Sequence, residues 1–216
     1  MRTAISIIAE SMDEVLRDMD EAAKVADIIE LRIDCMANPN LERLLRHSPT
    51  PKIVTNRTSY EGGRFQGSEE KRIAYLQEAI ALGAEYVDIE LIYYRQLKRE
   101  KRDKTKLIVS HHNLEETPEN LDGIYQRIAE KNPDIVKIAT KARNRSDNLR
   151  MLNLIARADI DIIGICTGPE GGMSRVYGPY FGGYLTFASL SEEKSPDPGM
   201  LTAVKLRQVW QLLKLE

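Results

Sequence analysis

Eight short apolar runs, each followed by an amphipathic stretch, constrain this chain more than any other feature of its sequence. The runs fall at 4–8, 28–33, 52–56, 86–91, 106–110, 135–139, 161–166 and 184–187. Helical periods follow them at roughly 12–25, 41–47, 68–82, 93–101, 118–130, 146–157, 172–181 and 201–213. Short Val- and Ile-rich runs bounded by turn residues read as buried parallel strands, and parallel strands need helical crossovers. Caps support several helix starts: Ser11 and Ser68 precede helical periods, and Thr117-Pro118 reads as a cap followed by proline in the first turn. Eight such units in 216 residues predict an α/β fold, a single (β/α)8 TIM barrel over 1–216, near the lower size limit of that architecture. The competing arrangement is a doubly wound open sheet. It usually has fewer strands and a glycine-rich first turn, which is missing here.

Composition narrows the partners. With 42% hydrophobic and 30% charged residues, the chain has enough apolar material for one sizeable core. A formal charge of -2 supplies no basic field for nucleic acid, so a small molecule is the expected partner. The basic stretch 95–106 reads as a solvated helix face and the loop after it. Two distant cysteines, Cys35 and Cys166, are too few for a disulfide framework or a zinc site, and reduced thiols fit a cytoplasmic protein. The first ten residues lack an apolar stretch of signal-peptide length, and no run is long enough to span a bilayer, so no membrane partner is expected. No composition break suggests a second domain.

Side chains alternate along a strand, so one set faces the helices and the other faces the barrel axis. In Glu30-Leu31-Arg32-Ile33-Asp34 the apolar set faces outward and the charged set inward. Val87-Asp88-Ile89-Glu90 repeats the pattern, and Val136-Lys137-Ile138 carries a lysine at the inward position. Thr55 and Arg57 share parity at the end of the third strand. Barrel interiors are normally filled with branched aliphatics, so Glu30, Arg32, Arg57, Asp88, Glu90 and Lys137 form an unusual set. A buried ammonium must be paired or lose its proton, and the neutral amine is the nucleophile that forms a Schiff base with a carbonyl. An ion-pair network that merely holds strands in register is the alternative, with Asp88 and Asp34 its best members. Charges gathered near the C-terminal strand ends favour a site.

The fifth strand ends in Ser110-His111-His112-Asn113, whose adjacent histidines point to opposite faces and so do not form a paired metal motif. One of them reaches the barrel mouth beside Lys137, where an imidazole suits a general base for a proton alpha to an imine carbon. No metal site is expected, because the nearby carboxylates face arginines. After the third strand, Arg57 and Glu61 flank Thr-Ser-Tyr ahead of Gly62-Gly63. There Glu61 can hold a histidine tautomer, and Arg57 can face an oxygen-rich substrate. Gly168-Pro-Glu-Gly-Gly-Met-Ser-Arg175 reads as a loop at a barrel's usual anion site, with Arg175 able to take a carboxylate in bidentate fashion.

These pieces together resemble the type I 3-dehydroquinate dehydratases, barrels of the class I aldolase kind. The match runs in order through Glu-Leu-Arg-Ile-Asp (30–34), Thr-Asn-Arg…Glu-Gly-Gly (55–63), Val-Asp-Ile-Glu (87–90), Ser-His-His-Asn (110–113), Val-Lys-Ile-Ala (136–139), Ser-Arg (174–175) and Pro-Gly (198–199). The resemblance implies dehydration of 3-dehydroquinate to 3-dehydroshikimate in the shikimate pathway. It implies Lys137 as the Schiff-base lysine, His112 as general acid/base and Glu61 as its orienting partner. It further implies substrate binding by Glu30, Arg32, Arg57, Ser6 and Ser195, with Arg175 taking the substrate carboxylate. No metal or organic cofactor and a homodimer are implied as well.

Two segments depart from the family's pattern. The closing loop usually reads Ser-Ala-Pro-Gly-Gln, whereas here it reads Ser195-Pro196-Asp197-Pro198-Gly199-Met200, with methionine at the glutamine position. On the seventh strand, methionines common in the family are replaced by Ile165-Cys166-Thr167. Two other functions compete with the implied one. A Schiff-base aldolase or transaldolase would need a phosphate site, and a non-catalytic barrel binding a small acid would keep Lys137 as a structural ion-pair member.

Overall fold

The computed structural model describes residues 1–100 and 104–215. Its strands are β1 (Thr3–Ile7), β2 (Ile28–Arg32), β3 (Lys52–Thr55), β4 (Tyr86–Glu90), β5 (Lys106–Asn113), β6 (Ile135–Lys141), β7 (Ile162–Thr167) and β8 (Thr186–Ala188). The helices are α1 (Met12–Ala22), α2 (Leu41–Arg46), α3 (Glu69–Ala81), α4 (Leu121–Ala129), α5 (Arg145–Arg157), α6 (Gly172–Tyr177) and α7 (Ala203–Leu213). Strands pair in parallel in the order β7-β6-β5-β4-β3-β2-β1-β8. The seam between β7 and β8 is bridged by the Tyr184 N–H, which donates to the Ile162 carbonyl at 2.7 Å. Sequential order with helices outside makes a nearly closed (β/α)8 barrel and rules out the doubly wound sheet, whose order reverses at a switch point.

The core falls into two layers, as strand parity requires. Ile5, Leu31, Val54, Val87, Val109, Val136 and Ile138 pack outward against the helices. Ile28, Ile53, Ile108, Ile135, Ile163 and Phe187 fill the axis. These interior residues plug the lower part of the barrel, so the polar inward residues sit above an apolar floor, towards the C-terminal strand ends. α7 closes the outer layer through Trp210, which is wholly buried and donates from Nε1 to the Val176 carbonyl at 2.7 Å.

Three expectations need correction. No α-helix forms over the described part of 93–101: a single 3-10 turn at Tyr94–Gln96 stands there, and residue 101 lies outside the described residues. The stretch Arg95-Gln96-Leu97-Lys98-Arg99 offers one apolar side chain and so no stripe to bury. The Gln77 side chain on α3 also takes the backbone of residue 98, accepting from its N–H at 3.0 Å and donating to its carbonyl at 2.9 Å. Secondly, α4 begins later than expected and is capped by Asn120, whose Oδ1 accepts from the Gly123 N–H at 2.8 Å. Thr117 instead donates to the Lys141 carbonyl at 3.0 Å, tying the β5–α4 loop to β6. Thirdly, β5 runs past the apolar stretch that ends at 110, to Asn113, and the histidines expected at its end lie on it. Ser11 and Ser68 cap α1 and α3 as expected, accepting from the Glu14 and Lys71 N–H groups at 3.3 Å each.

Asn120→Ala should lower unfolding free energy by about 1 kcal/mol, the typical worth of an N-cap. Thr117→Ala should leave the α4 helix end intact. Chemical denaturation with far-ultraviolet circular dichroism distinguishes the two variants.

Candidate active site

Lys137 projects from β6 into the axis with its side chain almost wholly buried, and its Nζ lies 2.8 Å from Asp88 Oδ2 and 3.1 Å from Glu30 Oε1. The Phe187 ring covers it, with its centroid 4.6 Å from Nζ. Each carboxylate has further partners. Glu30 accepts from Thr55 Oγ1 at 3.0 Å and from the Ser6 hydroxyl. Asp88 accepts from Ser110 Oγ at 2.6 Å and from Arg57 at 2.8 Å. Arg57 also donates to Glu90 Oε1 at 2.8 Å, and Arg72 meets the other oxygen of Glu90 at 2.9 Å. Burial alone would raise Asp88, but the charges of Arg57 and Lys137 outweigh it and hold the carboxyl well below the usual carboxylate range. Glu30 is lowered in the same way, with Lys137 and then Arg32 overriding burial.

Glu61 stands at the end of the loop after β3. Gly63 lets that loop turn back on itself: a Cβ there would lie 1.9 Å from the Arg57 carbonyl oxygen. The Glu61 Oε2 accepts from both the His112 backbone N–H at 2.9 Å and the His112 ring at Nδ1, 2.8 Å away. Burial would raise this carboxyl, but the approach of His111 and the hydrogen bond from His112 outweigh it and bring it down to about 2. An ionised Glu61 is acceptor-only, so Nδ1 must carry the proton of a neutral His112. Nε2 is then left with a free lone pair. Burial, followed by the charge of Arg57, pushes His112 down to about 4, so the ring is neutral near pH 7. His111 points to the other face and reaches Glu61 only at 3.6 Å.

The third cluster comes from the late loops. Arg175 on α6 is buried and forms an ion pair with Asp197, whose Oδ1 also accepts from the Gly168 N–H at 2.7 Å. Gly199 packs against the β7–α6 loop so closely that a Cβ would lie 2.0 Å from the Gly168 carbonyl oxygen. Asp197 belongs to the segment where the sequence departs from the family's pattern, and nothing in its local sequence announces a buried ion pair. Arg32, on β2, is held by Asp34 through two bonds of 2.8 Å each.

A cavity of about 210 Å³ brings the expected residues together. Lys137, His112, Glu61, Glu30, Arg32, Arg57, Arg175 and Ser6 all line it. Ser195 does not: it lines an outer cavity of about 620 Å³, and its hydroxyl donates to the Asp197 carbonyl at 2.8 Å. The two cavities share Arg32, Gly62 and Pro196 and so adjoin along those residues. Sequence reasoning missed Phe187, Leu114 and Asp197, which also line the inner cavity. Met200 and Ile165, noted as departures, do face it. Among the described residues, no three His, Cys, Asp or Glu side chains are grouped as metal ligands. No described helix is long and apolar enough to cross a membrane.

The family model described as type I 3-dehydroquinase matches residues 3–216. The chain is 38% identical over 217 residues to a 3-dehydroquinate dehydratase of Methanococcus maripaludis (strain C5), with 97% of this chain and 99% of that protein covered. It is 36% identical over 220 residues to the chloroplastic bifunctional 3-dehydroquinate dehydratase/shikimate dehydrogenase of Arabidopsis thaliana. That match takes in 97% of this chain but only 36% of the longer protein. Its structure is similar to that of 3-dehydroquinate dehydratase from Geobacillus kaustophilus HTA426, with a TM-score of 0.87, 25% identity, and 99% of this chain and 91% of the other covered.

The His112–Glu61 pair makes folding pH-dependent in two windows. His112 is depressed to about 4 from an ordinary 6.5, so the unfolded chain binds the extra proton first as pH falls. Stability is therefore lost between those values. Glu61, at about 2 instead of 4.5, adds stability above its unfolded value that is lost as pH falls towards 2. Denaturant titrations from pH 7 to 3 should show stability falling from about 6.5 downward, and His112→Ala should flatten the upper window.

Proposed function

The chain belongs to the type I 3-dehydroquinase family, and on that premise we propose that it dehydrates 3-dehydroquinate to 3-dehydroshikimate through an imine on Lys137. The observation that carries this reading is a buried lysine and a neutral, carboxylate-oriented histidine lining one small cavity. Lys137 attacks the C3 ketone as the free amine, and loss of water leaves a protonated imine. The iminium draws electrons from the C2–H bond, and His112 Nε2 takes that proton as the enamine forms. The enamine then re-forms the iminium by expelling the C1 hydroxyl, which leaves as water with the proton His112 carries. Hydrolysis frees the enone product and Lys137. Glu61 holds the imidazole in the tautomer this sequence needs and balances its charge while it is protonated.

The remaining residues bind and orient. Arg175 takes the substrate carboxylate, while Arg32, Arg57, Glu30 and Ser6 meet or position its hydroxyls. Ser195 binds substrate from the adjoining loop. Residues 1–216 act as one catalytic domain, working in the cytoplasm as a homodimer with neither metal nor organic cofactor. Buried, unpaired Cys35 and Cys166 and the exposed Tyr180 and Phe181 support the compartment and the self-association respectively. One observation favours the non-catalytic alternative: Lys137 is fully ion-paired, as a structural lysine is.

Turnover separates the two readings. The purified protein should convert 3-dehydroquinate to a conjugated enone, followed by its ultraviolet absorbance. Lys137→Met should abolish conversion. His112→Ala should lower kcat by at least about 10²–10⁴-fold, because one imidazole serves two proton transfers, and His111→Ala should cost far less. Equal losses in the two folded histidine variants would put the base elsewhere, and no turnover by the native chain would leave the binding barrel.

A further inference from the structure

Arg175 is only 4% exposed and lines the inner cavity, yet a carboxylate of the protein itself already occupies its guanidinium. That carboxylate, Asp197, lies between Pro196 and Pro198 on the loop over the cavity mouth and lines the same cavity. Its Oδ2 meets Arg175 and its Oδ1 takes the Gly168 N–H at 2.7 Å, so the loop is pinned to the β7–α6 turn. The guanidinium is not saturated: its Nε is buried and has no hydrogen-bond partner. Burial also dominates Arg175, drawing it below its ordinary value even with Asp197 beside it, the mark of a cation with room for more negative charge. The outer end of the loop is fastened separately, by Lys194 to Asp18 on α1 at 2.6 Å.

We propose that Asp197 is an internal surrogate for the substrate carboxylate, latching the 195–200 loop onto Arg175 until an anionic ligand displaces it. The inference rests on the reading of Arg175 as the carboxylate receptor. An incoming carboxylate replaces Asp197 charge for charge on the guanidinium and takes up the idle Nε, so the exchange leaves no buried cation unpaired. A neutral ligand of the same shape gains no such exchange and leaves the Arg175–Asp197 pair in place. Asp197 therefore lowers apparent affinity for acids, because the ligand must compete with a tethered carboxylate, while Arg175 supplies the preference for them. Lys194 remains the hinge-side anchor during the exchange.

Asp197→Asn keeps the Oδ1 acceptor for the Gly168 N–H and removes the competing charge. It should lower KM for 3-dehydroquinate by roughly three- to tenfold, the scale of one net hydrogen bond exchanged. It should also speed amide hydrogen exchange across 195–200 in the ligand-free protein. Asp197→Ala should move KM in the same direction and serves if the first variant does not fold. In an Arg175→Ala background the fall in KM should vanish. A rise in KM on Asp197→Asn overturns the proposal and makes Asp197 a support for Arg175. A fall that persists without Arg175 overturns it too, as a general charge effect. If Arg175→Ala alone leaves KM unchanged, Arg175 is not the carboxylate receptor, and that reading fails together with the latch.

Discussion

Lys137 fits inside an eight-stranded barrel because Asp88 and Glu30, from two other strands, meet its Nζ at 2.8 and 3.1 Å. Much of the surrounding polar structure follows from that pairing. Two buried carboxylates carry more negative charge than one ammonium cancels, so Arg57 joins Asp88 to Glu90, and Arg72 meets Glu90 from α3. Hydroxyls of Ser6, Thr55 and Ser110 take up remaining lone pairs on Glu30 and Asp88. Removing one member of such a set strands its partner, which typically costs about 3–5 kcal/mol. The network is thus both a register device for the strands and the electrostatic frame of the cavity.

The same frame suits the proposed chemistry. Ammonium and iminium carry the same charge at nearly the same place, so the carboxylates that satisfy the resting lysine also satisfy the imine. Only the free amine between those states is out of balance. His112 contributes the opposite property: burial and Arg57 hold it neutral, so it stands in the base form when substrate arrives, and Glu61 balances the charge once the proton is taken. The lysine that becomes the iminium and the histidine that carries the proton thus stand on neighbouring strands, β6 and β5.

Much of this was legible in the sequence because strands have a period of two. The alternation in Glu30-Leu31-Arg32 and Val136-Lys137-Ile138 separated the two core layers and placed Glu30, Arg32 and Lys137 on one cavity, but it failed at Asp34, which stands on a 3-10 turn beyond the end of β2 and lies outside that cavity. What stayed hidden depends on contacts between distant segments. The backbone of residue 98 is captured by Gln77, 21 residues away, which no local propensity signals. Asn120 won the cap of α4 because Thr117 is committed to Lys141 on β6. Ser195 turned inward on its own loop, while Asp197, a residue that reads as ordinary turn chemistry, reached Arg175.

The central claim is that the ion-paired lysine at the axis becomes the imine. Borohydride added to the protein with 3-dehydroquinate reduces an imine to a stable secondary amine, and peptide mapping then locates it. The account predicts one adduct, on Lys137, formed only when substrate is present. An adduct on another lysine, or none in a preparation that turns substrate over, would contradict it.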